Sequence, residues 1–66
     1  MIRLKVILFD KRMSQAQLSF AAKVNQSSLS KILNGKEPPY PNRAKRIADA
    51  LNWEGDPMEL FEEVDE

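Results

Sequence analysis

The fold of this protein is decided by residues 14–36, which read SQAQLSFAAKVNQSSLSKILNGK. Ser14 is a natural N-cap, and Gln17 follows three residues later. In such a capping box each side chain can satisfy an unpaired amide in the first turn of a helix. The pair predicts a helix that begins at Gln15 and is interrupted at residues 23–25.

A second helix is predicted directly after this interruption. Asn25 is a capping residue, so the helix is expected to begin at Gln26. Asn34-Gly35 is expected to end it after about Leu33, because both residues tolerate the left-handed conformation that closes a helix.

Apolar residues in both predicted helices recur at the spacing of one helix face. They are Leu18, Ala21 and Ala22 in the first helix and Leu29, Ile32 and Leu33 in the second. Such a face packs against a core, and the small residues Ala21 and Ala22 allow a close crossing. Two short helices joined in this way, here over about residues 15–33, form a helix-turn-helix arrangement.

Three further helices are predicted outside this stretch, which makes the expected fold all-α with five short helices. Pro41 can occupy a first helical position, and apolar residues follow at helical spacing: Ala44, Ile47, Ala48 and Leu51. Asp56, Pro57 and Glu59 together signal the start of a last helix, which carries Met58, Leu60 and Phe61. We expect one domain, residues 1–66, with a core of Leu4, Ile7, Leu18, Ala22, Val24, Leu29, Ile32, Ala48 and Leu51.

The first segment carries two apolar faces. One consists of Leu4, Ile7 and Leu8, and the other, nearly opposite, of Ile2, Val6 and Phe9. A helix that is apolar all round needs partners on both sides. We expect the second face to be covered from the C-terminal segment, by Trp53, Met58 or Phe61. The alternatives are a dimer interface on that face and an extended start at residues 2–4.

The composition argues against catalysis. The 66 residues include no Cys and no His, so the commonest metal ligands and general bases are missing. Serines without a base and carboxylates without an apolar pocket do not form a catalytic site. We therefore expect no enzyme activity, no catalytic residue, no metal, no cofactor and no small-molecule substrate.

The sequence also gives no sign of a membrane partner. The longest apolar run is residues 6–9, far short of the roughly 20 residues that a membrane span needs. The first residues do not resemble a signal peptide. We expect a cytoplasmic protein.

The charges are strongly segregated, although the formal net charge is zero. Residues 1–46 contain ten bases and two acids, a net charge of +8, whereas residues 47–66 contain eight acids and no base, a net charge of −8. A basic body with an acidic end is typical of a polyanion binder whose acidic end faces away from the phosphates. We expect the acidic tail, about residues 62–66, to fray and to lie off the face that binds phosphates.

Residues 14–36 closely resemble the helix-turn-helix of the Cro, Xre and phage-repressor family, which has the lambda repressor-like fold. The resemblance covers most of the chain, since residues 11–13 and 44–51 are similar to parts of that family's first and fourth helices. It implies a domain that binds double-stranded DNA with the second helix of the motif in the major groove.

The resemblance also implies roles for individual residues. Gln15 is expected to bind phosphate and to buttress Gln26, the first residue of the recognition helix, and Asn34 to reach the DNA backbone. Two positions depart from the family's pattern. Lys23 stands where glycine is usual, so it must adopt a positive φ at a cost of about 1 kcal/mol. Phe20 stands where a charged residue is frequent, and we expect it to be a flap packed on the Phe9 side or a partner contact.

The polar face of the second helix independently suits base recognition. Glutamine can hold adenine, lysine can donate to guanine, and serine is a short, permissive contact. The predicted base-reading residues are Gln26, Ser27, Ser30 and Lys31. The residues predicted to contact the DNA backbone or to buttress the reading residues are Gln15, Gln17, Ser28, Asn34, Lys36 and Arg43.

Together these observations predict a sequence-specific transcriptional regulator, a repressor that binds double-stranded DNA as a homodimer. A dimer is expected because one recognition helix covers only a half-site. The alternative is a protein-binding module on the same fold, such as an antitoxin or anti-repressor. It would use the acidic tail and the apolar surface of Ile2, Val6, Phe9 and Phe20.

Overall fold

The computed structural model describes residues 1–64, in which four α-helices are followed by a 3-10 helix. The α-helices are α1 (Arg3–Lys11), α2 (Gln15–Ala22), α3 (Gln26–Leu33) and α4 (Pro41–Leu51), and the 3-10 helix is Pro57–Phe61. The described part of the chain contains no strand, only an isolated antiparallel bridge between Ile2 and Glu63. The all-α prediction is confirmed, with the last element a 3-10 helix.

The N-terminal ends of α2 and α3 are capped as the sequence predicts. The Ser14 hydroxyl accepts a hydrogen bond from the Gln17 amide at 3.1 Å, and the Gln17 side chain accepts one from the Ser14 amide at 2.8 Å. At α3 the Asn25 side chain accepts from the Ser27 amide at 2.8 Å. Asp56 and Glu59 form a second capping box at the 3-10 helix. Each bond satisfies a donor that a helix start leaves unpaired.

Each α-helix is followed by a residue with positive φ. This residue comes directly after α1, α2 and α4, but one position later after α3, where Asn34 has φ −95°. Only one of these four residues is glycine. Arg12, Lys23, Gly35 and Asn52 have φ between 54° and 75°. After Lys23, for example, the Val24 amide donates to the Ser19 carbonyl at 3.1 Å. This bond satisfies a carbonyl at the end of α2. The positive φ expected at Lys23 is confirmed.

The core is formed by apolar residues from every helix. The largest fully buried side chains are Leu4, Leu18, Leu29, Ile47 and Leu60. All the predicted core residues are buried except Ile7, which is half-buried and packs against the edge of the core. Leu8, which was not predicted, is buried. Leu4 and Leu8 are four residues apart and define the inner line of α1, with Ile7 at its edge.

Only one of the two consecutive alanines of α2 faces the core. Ala22 is buried, but Ala21 is exposed, so the expectation that both alanines lie at the crossing is wrong for Ala21. The reason is that Leu18 and Ala22, four residues apart, define the inner line of α2.

The second apolar face of α1 is covered only at its start. Ile2 and Phe61 both pack against the core, but Phe9 is 83% exposed and Val6 is half-buried. Phe20 is 88% exposed, so the expected flap on the Phe9 side is not formed. Of the expected extended start, Ile2 alone has an extended backbone, because α1 begins at Arg3.

The described part of the acidic tail is paired with the start of the chain. The Arg3 amide donates to the Glu62 carbonyl, and the Val64 amide donates to the Met1 carbonyl, both at 2.9 Å. No side chain caps α1, so the Glu62 carbonyl takes the position of a cap. The expected fraying is therefore wrong for residues 62–64; Asp65 and Glu66 lie outside the described residues.

These contacts leave one side of α3 uncovered. α2 packs against both α3 and α4, while the 3-10 helix packs against α1 and α4.

The longest helix, α4, has 11 residues, so no helix in residues 1–64 is long enough to cross a membrane.

Candidate nucleic-acid interface

The outer face of α3 carries the predicted base-reading residues. Gln26, Ser27 and Lys31 are exposed, whereas Ser28 and Ser30 are half-buried at the edges of that face. Behind them the apolar stripe of α3 is buried in the core: Leu29, Ile32 and Leu33. Burial of the apolar side fixes the rotation of α3 about its axis. The side-chain amide of Gln26, the serine hydroxyls and the ammonium of Lys31 therefore lie together on the outer face. Such groups can bond the base edges of a major groove.

The start of α2 carries Gln15 and Gln17. Gln17 is engaged in the capping box with Ser14, so its side-chain oxygen already accepts a hydrogen bond. Gln15 is half-buried. Within residues 1–64 no hydrogen bond joins Gln15 to Gln26. The buttress that the resemblance implies therefore stays a prediction for the DNA-bound protein.

The C-terminal end of α3 brings together Asn34, Lys36 and an unpredicted residue, Lys5. The Lys5 ammonium lies 3.4 Å from the side-chain oxygen of Asn34, whose amide nitrogen lies 3.5 Å from the Ser30 hydroxyl. Lys36 is exposed. Sequence analysis missed Lys5 because 29 residues separate it from Asn34. Its positive charge was the only available signal, and the chain has ten such bases.

Arg43 is not a free cation in this structure. Its guanidinium donates to the carboxylate of Glu37 at 3.1 Å and lies 5.8 Å from the centre of the Tyr40 ring. Arg43 sits in the first turn of α4, and Glu37 lies in the segment between α3 and α4. Sequence analysis missed Glu37, although it is one of only two acids in residues 1–46.

The structure offers little for a metal or a small molecule. In the part of the chain that it describes, no three His, Cys, Asp or Glu residues are grouped closely enough to hold a metal ion. An open groove of about 540 Å³ runs along α1 and is lined by Met1, Lys5, Val6, Phe9 and Asp10. It lies outside the polar face of α3.

Comparison with known protein families agrees with this geometry. A family model described as helix-turn-helix matches residues 8–54, which run from the end of α1 to just beyond α4. Comparison with curated proteins and with solved structures gave no match. The match covers 47 of the 66 residues. The chain therefore belongs to the helix-turn-helix family of the Cro, Xre and phage-repressor type, a family of DNA-binding regulators rather than enzymes.

Proposed function

We propose that this protein is a sequence-specific transcriptional repressor of the Cro and phage-repressor type that binds double-stranded DNA in the cytoplasm. The observation that carries the proposal is the polar outer face of α3, which is exposed while the opposite face is fixed in the core. A rigid helix with outward polar groups fits the major groove, which is wide enough to admit an α-helix.

The proposed contacts divide into two classes. Base edges are read by Gln26, Ser27, Ser30 and Lys31. Phosphates are contacted, or the reading residues supported, by Gln15, Gln17, Ser28, Asn34, Lys36 and Arg43. The phosphate contacts fix the register of the protein on the duplex, and the base contacts discriminate between sequences.

The protein acts as a homodimer in this proposal. α3 has eight residues, so one copy can read only a short half-site. Two copies related by a two-fold axis would read two half-sites about 34 Å apart, one turn of the duplex. The preferred operator is then an inverted repeat.

A second function is favoured by a different surface. Phe9 is 83% exposed and lines an open groove with Met1 and Val6, and exposed apolar residues that form a patch mark association sites. A protein partner on this side would make the chain an antitoxin or anti-repressor. Such a role does not require that α3 read DNA.

Selection from random duplexes, followed by sequencing, tests the proposed function. We expect enrichment of an inverted repeat with half-sites one helical turn apart. Gln26→Ala should then lower affinity for the selected operator by about 1 to 3 kcal/mol and leave affinity for a scrambled duplex nearly unchanged. If no sequence is enriched, or if Gln26→Ala weakens both duplexes equally, α3 does not read bases and the protein-binding function is favoured.

A further inference from the structure

The ion pair between Glu37 and Arg43 lies within the proposed DNA-binding surface. The two side chains are only 26% and 34% exposed, so the pair is partly shielded from water. The Tyr40 ring lies on the same guanidinium at 5.8 Å. Arg43 is therefore held from two directions by residues of the segment that joins α3 to α4.

Glu37 is isolated among bases. It is the only acid between Asp10 and Asp49, a stretch that contains α2, α3 and most of α4. Glu37 directly follows Lys36, one of the proposed phosphate contacts. A carboxylate here places a negative charge next to the groups that would meet DNA phosphates, where like charges repel.

We propose that Glu37 is an internal competitor of DNA phosphate for Arg43 and thereby limits the affinity of this protein for duplex DNA. The inference rests on the proposed function. Arginine has five N–H donors, so phosphate can still reach donors that Glu37 does not use. The paired side chains have no net charge, however, so a phosphate bound there displaces fewer counterions than one bound by a free arginine.

The competition acts equally on all sequences. Contacts to phosphate are made whatever the base pairs are, so they change affinity without changing preference. Glu37 should therefore weaken operator and random duplex by the same factor. The surplus of bases in residues 1–46 would otherwise favour binding to any duplex.

The test compares the full chain with Glu37→Gln, which removes the charge and nearly preserves the shape. Binding to a 20-bp duplex of random sequence is measured at several salt concentrations. For each bound subunit, we expect Glu37→Gln to bind about eightfold more tightly at 0.1 M salt and to steepen the dependence of log affinity on log salt by about 0.9, the value for one additional phosphate contact. Glu37→Gln should increase affinity for the selected operator by the same factor. Glu54→Gln, the same change of charge beyond α4, is the matched control and should leave the salt slope unchanged.

A double-mutant cycle shows whether Glu37 acts through Arg43. In an Arg43→Met background, Glu37→Gln should increase affinity much less than eightfold per subunit, because the guanidinium for which Glu37 and phosphate compete is absent. Circular dichroism of each variant checks folding, and Glu37→Ala is the second variant if Glu37→Gln is unfolded. Unchanged or weaker binding by Glu37→Gln, or an equal gain in the Arg43→Met background, would overturn the inference. Lack of duplex binding by the unaltered protein would instead overturn the proposed function, and the inference with it.

Discussion

Gln15 and Gln26 are the residues whose coupling most directly reports base reading. They begin α2 and α3, and no hydrogen bond joins them within residues 1–64. If DNA brings the pair together, Gln15→Ala should lose part of the operator affinity that Gln26→Ala loses. The double variant should then lose less than the sum, because the two residues share one network.

Operator and scrambled duplex together provide the measurement for this pair. Affinity of the unaltered protein, both single variants and the double variant is determined on each duplex. Additive losses on the operator would contradict the coupling and would leave Gln15 as a phosphate contact alone.

Lys36 should behave differently from Gln26 because a lysine near the end of α3 meets phosphate rather than a base. Lys36→Ala is expected to weaken all duplexes equally and to reduce the salt slope by about one per subunit. Lys11→Ala is the matched control, since Lys11 lines a concavity with Leu51 and Trp53 at the other end of α4 from Arg43. An equal change of salt slope in both variants would show that the slope depends only on the total charge of the protein and would contradict a specific phosphate contact by Lys36.

Single residues were predicted from sequence where the role depends on close neighbours. Asn25 and Ser14 were identified as caps because the amides they bond are two or three residues away. Glu37 and Lys5 were missed because the sequence does not reveal which bases and acids approach each other after folding.

At the scale of elements, the turn between α2 and α3 contains a measurable strain. Lys23 has φ 56°, a conformation that costs a residue with a Cβ about 1 kcal/mol. Lys23→Gly should raise the free energy of unfolding by a part of this amount, because glycine loses more backbone entropy on folding. Chemical denaturation of both proteins measures the difference.

Two further substitutions, one at this turn and one beyond the end of α3, separate backbone strain from charge. Lys23→Ala removes the charge and retains the Cβ, so it should not reproduce the gain. Gly35→Ala introduces a Cβ at φ 75° and should destabilise, although nothing lies within 4 Å of the added atom. Stabilisation by Lys23→Ala equal to that by Lys23→Gly would mean that repulsion between charges, not backbone strain, is relieved.

At the scale of the whole molecule, the acidic tail has two effects that different variants separate. Removal of residues 62–66 deletes the carbonyl that accepts the Arg3 amide and the amide that donates to Met1. We expect this truncation to lower the free energy of unfolding by about 1 to 3 kcal/mol, at about 1 kcal/mol for each lost hydrogen bond. Thermal and chemical denaturation provide the measurement. A truncated chain as stable as the full one would mean that these bonds contribute nothing.

Neutralisation of the tail tests its electrostatic effect without removing the backbone. Glu62→Gln combined with Glu63→Gln keeps both main-chain hydrogen bonds and removes two negative charges. If the tail repels phosphate, this variant should bind random duplex more tightly at low salt, and the gain should disappear at high salt because exposed charges are screened. Unchanged binding at low salt would assign the tail a structural role alone.

The sequence by itself determined where α2 and α3 begin and end, where α4 begins, and which face of α3 is apolar. Those features depend on contacts between residues two to five positions apart, which the order of residues specifies directly. Membership of the helix-turn-helix family follows from the same local pattern, with Ser14, Asn25 and Gly35 at its boundaries.

Only the tertiary structure decided which side chains meet across the fold. It paired Glu62 with Arg3 through the backbone, brought Lys5 to Asn34 and left Phe9 and Phe20 uncovered. Hydrophobic burial is not directional, so the apolar pattern of α1 could not say which of its two faces the rest of the chain would cover. The packing of all the helices around one core settled that choice.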